Sequence, residues 1–133
     1  MDTYELSPEL RIGIDIVDRH HRELFSSLYD LHLRVVEKQD EAELAQAFHM
    51  VVVDLEECFA SVEELWSDLD YPEAAGHAAA HEALSVDLLK IDWDFVNGKA
   101  TLSDDALKQV VLRLGRHIVE WDKPLAARYL NQG

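Results

Sequence analysis

The chain has a single cysteine, Cys58, so no internal disulfide can form. Glycine and proline are scarce, five and three in 133 residues. They fall between long stretches of interleaved apolar and charged residues rather than inside them, and no strand-like alternation competes with a helical reading. Long apolar runs are missing too: stretches such as Val51-Val52-Val53 are far shorter than the roughly 20 residues needed to span a bilayer. The opening Met1-Asp2-Thr3-Tyr4-Glu5 is not a basic segment leading into an apolar run, so a cytoplasmic protein without a membrane segment is expected. Positive charge is in short supply, with 12 basic residues against 27 acidic ones and a net charge of −15. Phosphate backbones and anionic lipids are repelled by such a surface, which argues against nucleic acid and membranes and favours a basic protein partner, if any. Glycine-rich phosphate loops, nucleophile elbows and CxxC pairs are absent, and no enzymatic activity is expected.

What is present is an ordinary globular composition, 48% apolar and 29% charged, in a chain long enough to enclose one core. A single domain over 1–133 is expected, with an extended arm at 1–13, marked by Pro8 and Gly13, and a bundle from about 14 to 130. From about Ile16 to Lys38, His21, Leu24, Phe25, Leu28, Leu31, His32 and Val35 recur at helical spacing. Asp40 and Glu43 resemble a capping box opening a second helix that ends near Asp68. Tyr71-Pro72-Glu73 opens a third, which runs to about Phe95 and stops at Asn97-Gly98. Ser103-Asp104-Asp105 starts a fourth, with an inward face running from Leu107 through His117 and Ile118 to Trp121, until Pro124 ends or kinks it. Four helices joined by short loops predict an all-α, antiparallel up-down-up-down four-helix bundle. Trp66, Trp93 and Trp121 are expected to pack its core and ends.

Seven histidines are many for this length, and several share the inward stripes. His77-Ala78-Ala79-Ala80-His81 sets two imidazoles one helical turn apart, within reach of one cation. His117 and Asp122 lie five apart on or beside the inward face of the fourth helix, and His21 is on that of the first. Burying so many polar rings without partners is costly, and a shared metal relieves that cost; imidazole with carboxylate suits iron, zinc or manganese. His20 is read as pointing away, His32 as a core or end-layer residue, and His49 as a residue at the bundle surface or border.

Gly13-Ile14-Asp15-Ile16-Val17-Asp18-Arg19-His20-His21-Arg22-Glu23-Leu24-Phe25 resembles the opening signature of bacterial hemerythrins. Tyr71-Pro72, His77-x-x-x-His81, and His117-Ile118 with Asp122 are similar to that family's later signatures, so the resemblance runs over about residues 10 to 125. It implies two non-haem irons inside the bundle. His77, His81 and His117 would hold the first, Asp122 would bridge, and His21 would hold the second, at whose open position dioxygen binds. The second helix departs from the pattern. Where the family has a histidine and, four residues later, a glutamate, this chain has Cys58 and Val62. One ion or a defective pair is therefore expected in place of a full di-iron centre. Cys58 is either a thiolate ligand or a small buried apolar residue. Glu63 either replaces the missing acid, through a π-bulge in the second helix, or is a solvated surface group. Asp54 either approaches the cavity or pairs at its edge. Two functions follow: a hemerythrin-like protein for oxygen binding, sensing or iron handling, and a metal-poor signalling or interaction module.

Overall fold

Four helical rods lie side by side in the computed structural model, which describes Tyr4, residues 6–67 and residues 69–131. The expected end of the second helix near Asp68, and residues 1–3 and 5 of the arm, lie outside the described residues. A 3₁₀ turn at Pro8–Leu10 is followed by α1 (Asp15–Val36), α2 (Glu41–Trp66), α3 (Ala74–Val96) and α4 (Asp104–His117). The last rod continues through a π turn at Ile118–Asp122 into α5 (Lys123–Leu130). Contacts between side chains far apart in sequence fix the directions: His49 meets Asp92 while Glu63 meets His81, and His32 meets Asp104 while His21 meets Asp122. Both pairs of rods run antiparallel, and the protein is an all-α four-helix bundle. Among the described residues no helix is long and apolar enough to cross a membrane.

The core is built from the stripes legible in the sequence. Leu24, Phe25, Leu28 and Leu31 of α1 meet Phe48, Val51, Leu55 and Phe59 of α2, with Leu84 and Leu88 of α3 and Leu107, Val110 and Leu114 of α4 completing one continuous apolar interior. Burial of this kind contributes about 25 cal/mol per Å² of apolar surface and outweighs local propensity. The arm is held to it at two points. Tyr4 stacks on the His32 ring at 4.8 Å, and Asp18 accepts hydrogen bonds from the backbone amides of Ile12 (2.8 Å) and Gly13 (3.1 Å). Gly13 sits at φ +87, where a side chain would be strained, so the arm turns into α1 at a residue suited to it.

Helix ends depart from expectation in three places. Lys38, and not a glycine, takes the left-handed conformation (φ 57) just past α1, which stops at Val36. Asp40 does precede α2, but its side chain makes no capping hydrogen bond, so the capping box is not formed. Tyr71-Pro72-Glu73 is a turn ahead of α3 and not its first helical turn, since α3 begins at Ala74. Ser103, in contrast, accepts from the Ala106 amide at 3.1 Å as an N-cap should, and Gly98 adopts φ +70 behind α3.

The tryptophans also differ from expectation. Trp93 is 64% exposed and packs no core. Trp121, expected on the inward stripe, is only half-buried, because the π turn gives the inward position to Asp122. Within that turn the Lys123 amide donates to the Ile118 carbonyl, five residues back. In a regular helix, at about 100° per residue, His117 and Asp122 would diverge by about 140°. The wider turn sets them on one face. Pro124 follows immediately; it has no amide to give and its ring would press on the carbonyl four residues back, which favours a widened ladder here.

Candidate metal centre

Two rods deliver polar groups to one interior point. His77 and His81 stand on successive turns of α3, His117 closes α4, and Asp122 is carried in by the π turn. One ligand atom from each of these four buried residues falls within 4.8 Å of all the others. Asp122 is the hub. Its Oδ1 lies 3.0 Å from His77 Nε2 and 3.4 Å from His117 Nε2, and its Oδ2 lies 3.3 Å from His21 Nε2. Burial opposes ionisation of this carboxyl, but the hydrogen bonds of His117, His21 and His77 prevail and hold it well below the usual carboxylate range.

The outer nitrogens are held in turn. His81 Nδ1–H donates to Glu63 Oε2 at 2.8 Å, which fixes the ring and leaves its Nε2 a bare lone pair facing inward. His77 Nδ1 lies 3.0 Å from Tyr71 Oη. Aromatic rings wall the cluster: Phe59 lies 3.9 Å from His81 in a parallel stack, Trp66 is 4.7 Å from His77, and Trp121 stacks on His77 at 5.3 Å. Trp121 fits there because Gly76 has no side chain; a Cβ at that position would stand 2.9 Å from the indole. Burial lowers the pKa of His81, the neighbouring His117 and His77 lower it further, and the Glu63 hydrogen bond opposes them.

The donor set fits a metal ion on the chemistry of its own atoms. His81 Nε2 is buried and, among the described residues, has no hydrogen-bond partner, and His117 Nε2 has only the long 3.4 Å approach to Asp122 Oδ1, a costly arrangement that a cation relieves. Three imidazoles and a carboxylate oxygen suit iron, zinc or manganese.

The chain is 30% identical, over 127 residues, to a bacteriohemerythrin of Stenotrophomonas maltophilia (strain R551-3), an alignment that covers 93% of this chain and 82% of the relative. It belongs to the hemerythrin family. No family model matches this hemerythrin-like chain, and no solved structure matches it.

The remaining candidates stand around the cluster. His21 and Cys58 line a small cavity of about 10 Å³ beside Asp122 and His117, walled by Leu24, Phe25, Leu55, Phe59, Leu114 and Ile118. That is room for about one water. Neither His21 nor Cys58 joins the compact four-atom group. Burial, reinforced by the Asp122 charge, pushes the Cys58 thiol up to about 12, so without a cation it is a buried thiol. Val62 is buried and offers no donor atom. Glu63 is neither a bridging group nor a plain surface acid: α2 is regular there, and the carboxylate reaches His81 from outside the cluster. Asp54 is half-buried, does not line the cavity, and its pKa is raised by burial and by Glu57 and Glu23. Sequence reading missed the Tyr71 contact to His77 and the role of Asp18 in pinning the arm. Both residues sat inside recognised motifs, but nothing in their spacing says which atom each reaches.

Proposed function

We propose that this hemerythrin-like protein binds one non-haem metal ion, iron foremost, through His77, His81, His117 and Asp122, and that it serves oxygen sensing or iron handling in the cytoplasm. The observation that carries this reading is the convergence of four buried donors within 4.8 Å, among them the unpartnered Nε2 of His81. Iron held there supplies a redox-active Lewis acid. The chain's own residues supply the rest. Glu63 accepts the Nδ1 proton of His81, which keeps that ring's Nε2 lone pair directed inward, and the Tyr71 hydroxyl 3.0 Å from His77 Nδ1 orients the second ring. Phe59, Trp66 and Trp121 restrict water around the imidazoles.

Reversible dioxygen carriage in this family draws on two ferrous ions together. Here the second position has His21 and a share of Asp122, with Cys58 and Val62 where the family pattern has a histidine and a glutamate. A cavity of about 10 Å³ lined mostly by apolar side chains supports a single-ion reading, and a non-enzymatic one. That same small, mostly apolar cavity favours the second reading, an interaction module that has lost oxygen carriage. Anaerobic loading with ferrous iron, followed by metal analysis and an optical spectrum before and after air, tests the proposal. Near one iron per chain is expected, lost in Asp122→Asn. No bound iron sinks the metal-protein reading, and two irons with an oxygenated di-iron spectrum sink the single-ion one.

A further inference from the structure

A second cleft lies outside the metal centre, between the N-terminal arm and α1, with a volume of about 380 Å³. Tyr4, Leu6 and Tyr29 form its walls and Phe25 its floor, while Arg11, Arg22 and Ser26 are its polar groups. Among the described residues no carboxylate lines it, and neither guanidinium makes an ion pair or a side-chain hydrogen bond. In a chain with 27 acidic against 12 basic residues, a cleft with two cations and, among the described residues, no anion is a local inversion of charge. Its size and mostly apolar, aromatic lining, with a few polar groups, are those of a small-molecule site.

We propose that this cleft binds a small aromatic carboxylate, held by Arg11 and Arg22 at its charged end and by the Tyr4, Tyr29 and Phe25 rings along its apolar body. The planar guanidinium fork pairs bidentately with a carboxylate. A bare inorganic anion leaves the aromatic lining uncovered, and a neutral ring leaves two cations without a counter-charge. Phe25 adds a link inward. It lines this cleft and also the small cavity beside His21, Cys58 and Asp122, so a single buried ring separates an occupant from the interior.

Titration of the full chain with benzoate, followed by calorimetry and by backbone amide resonances, tests this without any metal. One saturable site is expected, with shifts at Phe25, Ser26 and Tyr29. Arg11→Gln and Arg22→Gln each weaken it by about tenfold or more, whereas Arg19→Gln, exposed on α1 but outside the cleft, leaves it unchanged. Benzyl alcohol and inorganic phosphate bind at least about tenfold more weakly than benzoate. The proposal is overturned by an absence of saturable benzoate binding, by equal affinity in both cleft-arginine variants, by phosphate binding as tightly, which marks a bare charge patch, or by benzyl alcohol binding as tightly, which marks an apolar crevice. The two exposed arginines carry little of the fold, and unchanged helical circular dichroism establishes that in each variant. Because the readout needs no metal, its failure leaves the metal reading standing, and the failure of that reading leaves this one standing.

Discussion

At the scale of single residues, Glu63 is instructive because its side chain is 45% exposed and yet it fixes a buried ring. Its carboxylate accepts the Nδ1 proton of His81, and removing such a partner typically weakens metal binding by about 10- to 100-fold. Glu63→Ala is therefore expected to lower iron affinity by about that factor while changing denaturant stability little, which a competition titration against a chelator, paired with urea unfolding, measures. A drop in stability without a drop in affinity would count against the assigned role. The inward histidines were legible because a pair one turn apart on an apolar stripe leaves few alternatives. Glu63 was not. Whether a long side chain reaches back over its own helix to a neighbouring one depends on the distance between rods, which spacing along one strand of sequence does not encode.

Helical elements were legible to within a few residues wherever an apolar stripe met a neighbouring rod, as in α1 and α2, and less so at their ends. Asp40 and Pro72 carry the right chemistry for a helix start, but the packing of Leu44 and of Tyr71 sets where the chain enters each rod. The π turn was invisible because it is a change of hydrogen-bond partner and not of composition. Its main cost falls on Trp121, which is turned to the rim and accommodated by Gly76 alone. Gly76→Ala places a carbon 2.9 Å from Cη2 of that indole and 3.3 Å from Cζ3, so the ring must shift away from His77. A loss of about 1–3 kcal/mol is expected, seen by urea unfolding, together with a changed tryptophan emission. Unaltered emission and stability would show that the indole yields freely.

The whole molecule is a strongly anionic bundle with an interior that favours a cation. Net charge of −15 repels itself within the compact state, and Asp122 adds a buried anion held in place by the surrounding imidazoles. A ligand that binds only the folded chain stabilises it by mass action, about 2.7 kcal/mol when free ligand is 100 times its Kd. Ferrous iron at that excess, without air, is expected to raise the melting temperature by several degrees. A chelator should reverse the gain, and Asp122→Asn should remove it. Calorimetric scans with and without iron decide this. An unchanged melting point in the wild-type chain would leave the bundle standing as an apoprotein and would count against a resident metal. Charge and size alone pointed to one acidic domain; they could not tell whether its interior holds an ion, since that rests on atoms brought together from 40 residues apart, His77 with His117.

The widened turn at 118–122 has a bearing on how relatives of this chain should be aligned. One extra amino acid is looped into the rod, and the stretches on either side keep their normal repeat, so the reading frame of buried positions slips once and then recovers. A relative lacking that extra amino acid would keep both its histidine and its aspartate on the inner side, now one ordinary turn apart. The gap belongs inside the turn, at the exposed Val119 or Glu120, where an indel changes the length of the chain and spares the donors.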